Sequence, residues 1–377
     1  MRSAMDSGFR ALNRRARQYF QVGRRLGAQR ADPMAAAHLG CCGPVSCPKL
    51  FSSPHRFMAA AAISFFATLG LGGCAATATS TAPPRIHLKG PIAVLRAGFE
   101  SSDPGLRAIS LESLKNVHRP LAQDLVKRAL SDTSPMVRFT AAMVAGDQKM
   151  VDLKEQLIAL ATGPMVSVRP AAIYALARIG DAAYMDELPS MLMSKDPVVR
   201  ANVAFILGRL GDKSAIPLLR TDSNDRSHGV KLAITSALAR LGYHRAVNSI
   251  VALSLSSYAQ DHLAALSTCR TLESPLAVNV LLAGLHDPSP AARLIAARGL
   301  GQRGSTLGET IAVKAAASSD THLRVLGALA LGAIPVSSNA GLLEKMLTNT
   351  DPRVRIAAAS GLIHLRMLAQ SVDRSTH

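Results

Sequence analysis

The sequence predicts an all-α protein, an α-α superhelix built from about nine helical hairpins of 31 residues each. Three observations predict it. A cation recurs at fixed spacing: Arg107, Arg138, Arg169, Arg200, then Lys231, His262, and Arg293, Arg324, Arg355, with no insertion or deletion breaking the register. Two apolar columns travel with it. One residue before the cation stand Leu106, Val137, Val168, Val199, Val230, Asp261, Ala292, Leu323 and Val354, and seven residues after it Leu114, Ala145, Leu176, Leu207, Leu238, Cys269, Leu300, Leu331 and Leu362. Finally, 48% of the chain is apolar but only 4% aromatic, with no Trp. A core of Ala, Leu, Val and Ile suits close-packed helices better than a sheet enzyme with aromatic pockets.

The first 57 residues hold ten Lys and Arg against Asp6 and Asp32, contributing +8 of the formal +18, while residues 75–377 carry +10. This opening reads as an over-extended start or a disordered leader, with Met34 or Met58 as alternative initiators. Cys41, Cys42 and Cys47 have no second pair at zinc-finger spacing, so no metal site is expected there.

The segment MAAAAISFFATLGLGGCAATATSTAPP, Met58 to Pro84, resembles a bacterial lipoprotein signal. Arg56 precedes a short apolar run, and Leu71-Gly72-Gly73-Cys74 looks like a lipobox. The resemblance implies lipid attachment at Cys74, a leader over 1–73 and a flexible tether over 74–90. An ordinary cleaved signal, or a short anchor with an incidental Cys, is the alternative. With Cys74 lipidated, Cys269 is the one thiol left in the body, which fits an oxidising compartment without a disulfide framework.

Each repeat has room for two helices. The second carries the cation and is opened by Asp103-Pro104, Ser134-Pro135, Asp196-Pro197, Ser289-Pro290 or Asp351-Pro352, pairs that suit the N-cap and first helical position. The first is shorter and apolar, as over 151–161, 184–193 and 342–347. Gly180-Asp181 and Gly211-Asp212 mark turns. One hairpin cannot bury its apolar face alone, so the units must stack into a quasi-one-dimensional solenoid over 91–368, with a tail at 369–377.

The unit DPVVRANVAFILGRLGDKSAIPLL, Asp196 to Leu219, resembles the short HEAT-like repeats first associated with phycobilisome lyases, and the resemblance covers essentially all of 91–368. It implies a superhelix whose concave surface grips another macromolecule. It also implies that the first-turn cations Arg107, Arg138, Arg169, Arg200, Arg293, Arg324 and Arg355 form a structural ladder beside acceptors of neighbouring units. Asp103, Asp196, Asp320 and Asp351, each four residues upstream, are the carboxylate partners expected from the sequence.

Signals for chemistry are sparse. Gly299 to Gly304 spells GxGxxG at the end of a repeat helix, whereas a dinucleotide loop follows a strand. Deoxyhypusine hydroxylase, a HEAT-like enzyme, holds its metal with His-Glu dipeptides; none of the 11 His here precedes Glu. HExxH and GxSxG are missing too, and isolated residues such as His244, His286 and His322 read as loop or surface positions. No enzyme activity, cofactor or metal is therefore expected. Bilin-lyase activity belongs to one branch of the family, and no motif selects that branch.

The candidate binding surface lies five and nine residues after the repeat cation: Tyr174 with Arg178, Phe205 with Arg209, and Arg240 in the next unit. Each pair is spaced i,i+4 on one helix face, and aromatic plus Arg is the composition of interface hot spots. In the alternative, the aromatics pack inward and the arginines are solvated. The sixth unit is irregular, with Asp261 in an apolar column and His262 in place of Arg, either a bend or a weakened packing site.

The leading functional expectation is a non-catalytic scaffold that binds a protein partner on its concave face, as a lipoprotein anchored in the bacterial cell envelope and facing the periplasm. An unprocessed signal would leave it cytoplasmic. Nucleic-acid binding is the alternative, favoured by the basic body and opposed by the export signal and scarce stacking residues. An enzyme of the lyase or hydroxylase branches comes third.

Overall fold

A computed structural model describes residues 89–115, 117 and 119–375. The leader over 1–73, Cys74 and most of the tether lie outside the described residues. Nine hairpins follow one another within them. They are α1 (Lys89–Phe99) with α2 (Pro104–Leu114), α3 (Arg119–Ala129) with α4 (Pro135–Asp147), and α5 (Lys154–Thr162) with α6 (Arg169–Ile179). Next come α7 (Leu188–Met191) with α8 (Pro197–Leu210), α9 (Ile216–Thr221) with α10 (His228–Arg240), and α11 (His244–Leu253) with α12 (Ala259–Cys269). The last are α13 (Pro275–Gly284) with α14 (Pro290–Gly301), α15 (Glu309–Ala316) with α16 (Thr321–Ala333), and α17 (Asn339–Met346) with α18 (Pro352–Ser375). The even-numbered helices carry the repeat cation and pack on one another as an inner layer; the odd-numbered helices cover them.

Local chemistry sets the helix boundaries. Asp103, Asp196 and Asp320 cap α2, α8 and α16, accepting from the backbone N–H two residues on at 2.7–2.8 Å. Asp351 accepts from Arg353 N–H at 2.8 Å in the same way. Gly180 and Gly211 end α6 and α8 at φ +101° and +77°, left-handed values that a side chain rarely adopts. No such breaker follows Gly361, and α18 runs through the segment expected to be a tail, as far as Ser375.

These caps correct one expectation. The Asp four residues upstream is not the partner of the repeat Arg, because its short side chain is spent on the orphan N–H groups of its own helix. The guanidinium turns instead to the loop carbonyls six and five residues upstream. Arg107 donates to Ser101 and Ser102 (2.9 and 3.0 Å), Arg324 to Ser318 and Ser319 (2.9 and 2.8 Å), and Arg355 to Asn349 and Thr350 (2.8 and 2.9 Å). Arg200 and Arg293 repeat the pattern, while Arg169 donates to Gly163 and Thr162 and Arg138 to Asp132.

A rung to the next hairpin forms only where an Asp stands six residues before the following cation. Arg107 binds Asp132 and Arg200 binds Asp225, both bidentate, and His262 lies 2.9 Å from Asp287. The Arg107 and Arg200 side chains are 15% exposed. His262 therefore stands in for Arg in the irregular sixth unit, its Nδ1 on the Ser254 carbonyl at 2.5 Å. Asp261, buried in an apolar column, is met by His228 of the preceding hairpin at 2.5 Å.

Core packing follows the second apolar column. All nine of its residues, from Leu114 to Leu362, are buried. Each buried Leu contributes about 1.5–3 kcal/mol relative to an exposed one, so this column alone is a large share of the stacking energy. Inner helices approach closely where small residues face each other. A Cβ on Gly332 of α16 would lie 2.1 Å from Gly361 Cα of α18.

The row of hairpins is not open-ended. α1 and α2 pack against α18, so the first hairpin occupies the place of a tenth. Gly98 of α1 sits directly on Ile356 of α18, where an added Cβ would meet Ile356 Cδ1 at 2.8 Å. α18 accordingly buries two faces. Val354, Ala358 and Leu362 join the core of the last hairpins, while Ile356, Ala359 and Ile363 join the core containing Leu95 and Phe99. A terminal helix with two apolar faces needs a neighbour on each side, and closure supplies the second. The expected one-dimensional stack thus closes on itself in residues 89–375.

Candidate binding surface on the inner helices

The candidate residues lie on the inner helices α6, α8 and α10, five and nine residues after the repeat cation. The five residues expected there behave differently from one another. Tyr174 is only 2% exposed, and its hydroxyl donates to Asp147 Oδ1 at 2.5 Å. Arg209 reaches from α8 across α6 to the same carboxylate on α4, at 2.6 Å, and lies over the Tyr174 ring with 5.8 Å to its centroid. Burial and the neighbouring Asp147 raise the phenol above its ordinary range. This trio is satisfied internally.

Phe205 is 38% exposed, and Arg240 of the next hairpin lies over its ring at 5.9 Å. Arg178 is exposed. The i,i+4 pairing read from the sequence is therefore replaced by a staggered one: each aromatic takes the Arg of the following inner helix, Tyr174 with Arg209 and Phe205 with Arg240. Neighbouring inner helices pack closely, with Gly208 of α8 against Ala237 of α10, so an Arg can cross to the next helix's aromatic. Each such cation–π contact is worth about 0.5–2 kcal/mol.

The stripe continues beyond the residues singled out from sequence. Arg270 at the C-cap of α12 and Arg298 on α14 follow Arg240, and Arg270 lines with Phe205 and Arg240 a cavity of ≈330 Å³ between α8, α10 and α12. Among the described residues, Arg178, Arg240 and Arg298 donate no side-chain hydrogen bond, and Arg270 donates one, to Gln302 Oε1 at 2.9 Å. Burial and the neighbouring guanidinium groups lower the proton affinity of Arg240 and Arg270, and of Arg298 down to about 10. Sequence reasoning passed over Arg270, which stands eight residues after its cation and off both columns, and Arg298, which takes the five-residue position held by Tyr174 and Phe205 in earlier units. Only packing aligns the drifting positions.

Two other polar residues act structurally. Gln148 and Arg303 occupy equivalent repeat positions and cap the C-terminus of the preceding inner helix. Gln148 donates to the Leu114 and Val117 carbonyls, and Arg303 to those of Cys269, Arg270 and Leu272 at 2.7–2.9 Å, with a further bond to Gly299 of its own helix. A cation at a helix C-terminus also meets the negative end of the dipole. No group of three or more His, Cys, Asp and Glu that could hold a metal comes together among the described residues, and none of their helices is long and apolar enough to cross a membrane.

The family profile described as HEAT repeats matches residues 92–177, 123–194, 155–239, 185–268 and 278–363, most of the chain. The chain belongs to the HEAT-repeat family. No curated protein matches it. Among solved structures, this HEAT-repeat chain is similar to human deoxyhypusine hydroxylase in complex with glycerol, at 18% identity and TM-score 0.34, covering 74% of this chain and 97% of that one. It is similar to the complex of CpcE and CpcF of phycocyanin lyase from Nostoc, at 21% identity and TM-score 0.36, covering 64% and 94%. Importin beta matches at 16% identity and TM-score 0.34, over 72% of this chain and 45% of that one. At such identities the likeness concerns the fold alone.

Proposed function

We propose that this HEAT-repeat protein is a non-catalytic scaffold, tethered to the envelope membrane through a lipidated Cys74, which receives an acidic segment of a protein partner on its inner-helix face. One observation carries the reading: Phe205 is exposed with Arg240 over its ring, and neither Arg240 nor the exposed Arg178 of the preceding inner helix is paired with a carboxylate among the described residues. An exposed aromatic flanked by unpaired Arg offers a partner an apolar anchor and charge-assisted hydrogen bonds together. Tyr174 and Arg209 form the rigid floor of the surface. The tether rests on the lipobox sequence Leu71 to Cys74.

The test is photo-crosslinking from position 205 in cells that produce the full chain, with Arg178→Glu as the companion variant. A discrete protein adduct that Arg178→Glu abolishes supports the reading. An adduct unchanged by the charge reversal overturns it, and a nucleic-acid adduct would transfer the surface to the other reading. Intact mass of the membrane fraction decides the tether: an N-terminal lipid-modified Cys74, lost in Cys74→Ser, is expected.

A further inference from the structure

Closure of the hairpin row creates a second cavity, which shares Arg270 with the Phe205 cavity. α2 is brought opposite α12, α14, α16 and α18, enclosing ≈300 Å³. One wall is apolar, formed by Val325, Leu329 and Ile356; the other presents Arg270, Arg298 and His364. The carboxylate in this space is Glu112, and Lys115 already binds it as an ion pair. Arg298 makes no hydrogen bond or ion pair, and Nε2 of His364 is buried without a hydrogen-bond partner. Arg270 is held in place by Gln302. Arg270 and Arg298 thus face this space beside an orphaned imidazole nitrogen, neither of them in an ion pair among the described residues; Glu112 acts on them only at a distance, and the third guanidinium there, Arg353, is paired with Asp351.

Unpaired charge of this kind is costly to enclose unless a ligand neutralises it. Two guanidinium groups match a dianion, and their forked N–H groups match the oxygens of a phosphate, which is close to doubly charged at neutral pH. The cavity has the volume of a small-ligand site, and its apolar wall suits an organic substituent. We propose that this cavity binds a phosphomonoester, with Arg270 and Arg298 gripping the phosphate, His364 Nε2–H donating to it, and the organic part against Val325, Leu329 and Ile356. The site depends on closure of the repeats; Arg298 and His364 line this cavity and not the Phe205 one, whereas Arg270 lines both.

The full chain is titrated with inorganic phosphate and with phenyl phosphate at constant ionic strength, chloride serving as the blank, and followed by ³¹P NMR line broadening and thermal shift. Saturable binding of both is expected, tighter for phenyl phosphate. Arg298→Gln and Arg270→Gln should each weaken it by about tenfold or more, as expected for loss of a charge-assisted bidentate contact. Lys314→Gln, on the exposed face of an outer helix, should bind as the wild type does. If Arg298→Gln does not fold, Arg270→Gln and His364→Asn carry the comparison. Absence of saturable binding beyond the chloride blank, or undiminished binding by the Arg270 and His364 variants, overturns the proposal. Crosslinking from position 205 is judged with Arg178→Glu, a residue outside the lining of this cavity, so the two readings fail separately.

Discussion

Arg200 on α8 grips Asp225 in the loop of the following hairpin through two hydrogen bonds, Nε to Oδ2 at 2.6 Å and NH2 to Oδ1 at 2.8 Å. The same guanidinium holds the Ser194 and Lys195 carbonyls of its own hairpin. One side chain therefore closes a turn and staples two repeats, which explains a cation in the first turn, where the dipole alone would disfavour it. Arg200→Leu should cost about 2–3 kcal/mol, since it leaves a largely buried carboxylate and two carbonyls without donors. A double-mutant cycle with Asp225→Asn, read from urea midpoints, should show favourable coupling; additive losses would remove the staple as the explanation.

The same pair gives an acid dependence. Hydrogen bonds from Arg200 hold the Asp225 carboxyl below its ordinary 3.8, against the opposing effect of burial. Its contribution is present above the unfolded value, about 3.9, and is lost as pH falls through the lower folded value. Asp225→Asn should flatten that part of the acid-unfolding curve, and an unchanged curve would assign the acid sensitivity to other carboxylates.

His364 acts in a higher window. Burial, with Arg298 and Lys115 nearby, lowers its proton affinity from the ordinary 6.5. The unfolded chain takes up the proton first, so stability is complete above that value and declines as pH falls through the folded one. Wild type should lose stability between neutral pH and about pH 5, below the unperturbed His value, with His364→Gln losing less. Parallel losses in the two chains would show that another group titrates.

The Cys269 thiol is fully buried, and burial pushes it up to about 11, with Arg303 only partly offsetting the effect. In a chain with Cys41, Cys42, Cys47 and Cys74 replaced by Ser, Cys269 should react with a thiol reagent only through opening of the sixth hairpin. Arg303→Ala strips a donor from three carbonyls at the end of α12, those of Cys269, Arg270 and Leu272, and should accelerate that labelling several-fold. Equal labelling rates would mean the cap contributes nothing to local stability.

Where α16 crosses α18, Gly332→Ala sets helix propensity against packing. Alanine gains about 1 kcal/mol in a helix interior, but its Cβ would lie 2.1 Å from a backbone atom of Gly361. Backbone cannot rotate aside, so the overlap wins and a net loss of about 1–3 kcal/mol is expected. A raised thermal midpoint would show that the two helices slide apart at little cost.

The sequence by itself determined what local chemistry controls: the 31-residue period, the second helix of each hairpin, its Asp caps and that of Ser289 (Ser134 occupies the cap position without a side-chain bond), the left-handed glycines and the buried Leu column. These depend on contacts within a hairpin or between adjacent ones, and identical spacing repeats them identically. Tertiary structure alone decided the rest. Which acceptor the repeat Arg takes depends on where a guanidinium can reach from a helix already capped by the nearer Asp. Tyr174 meets Arg209, not Arg178, because the helices approach closely enough for a side chain to cross. The meeting of Gly98 with Ile356, and of α2 with Arg270 and Arg298, depends on the rotation accumulated over nine hairpins. That sum of small angles is carried by no single residue, which is why closure and the cavity it makes were invisible in the sequence.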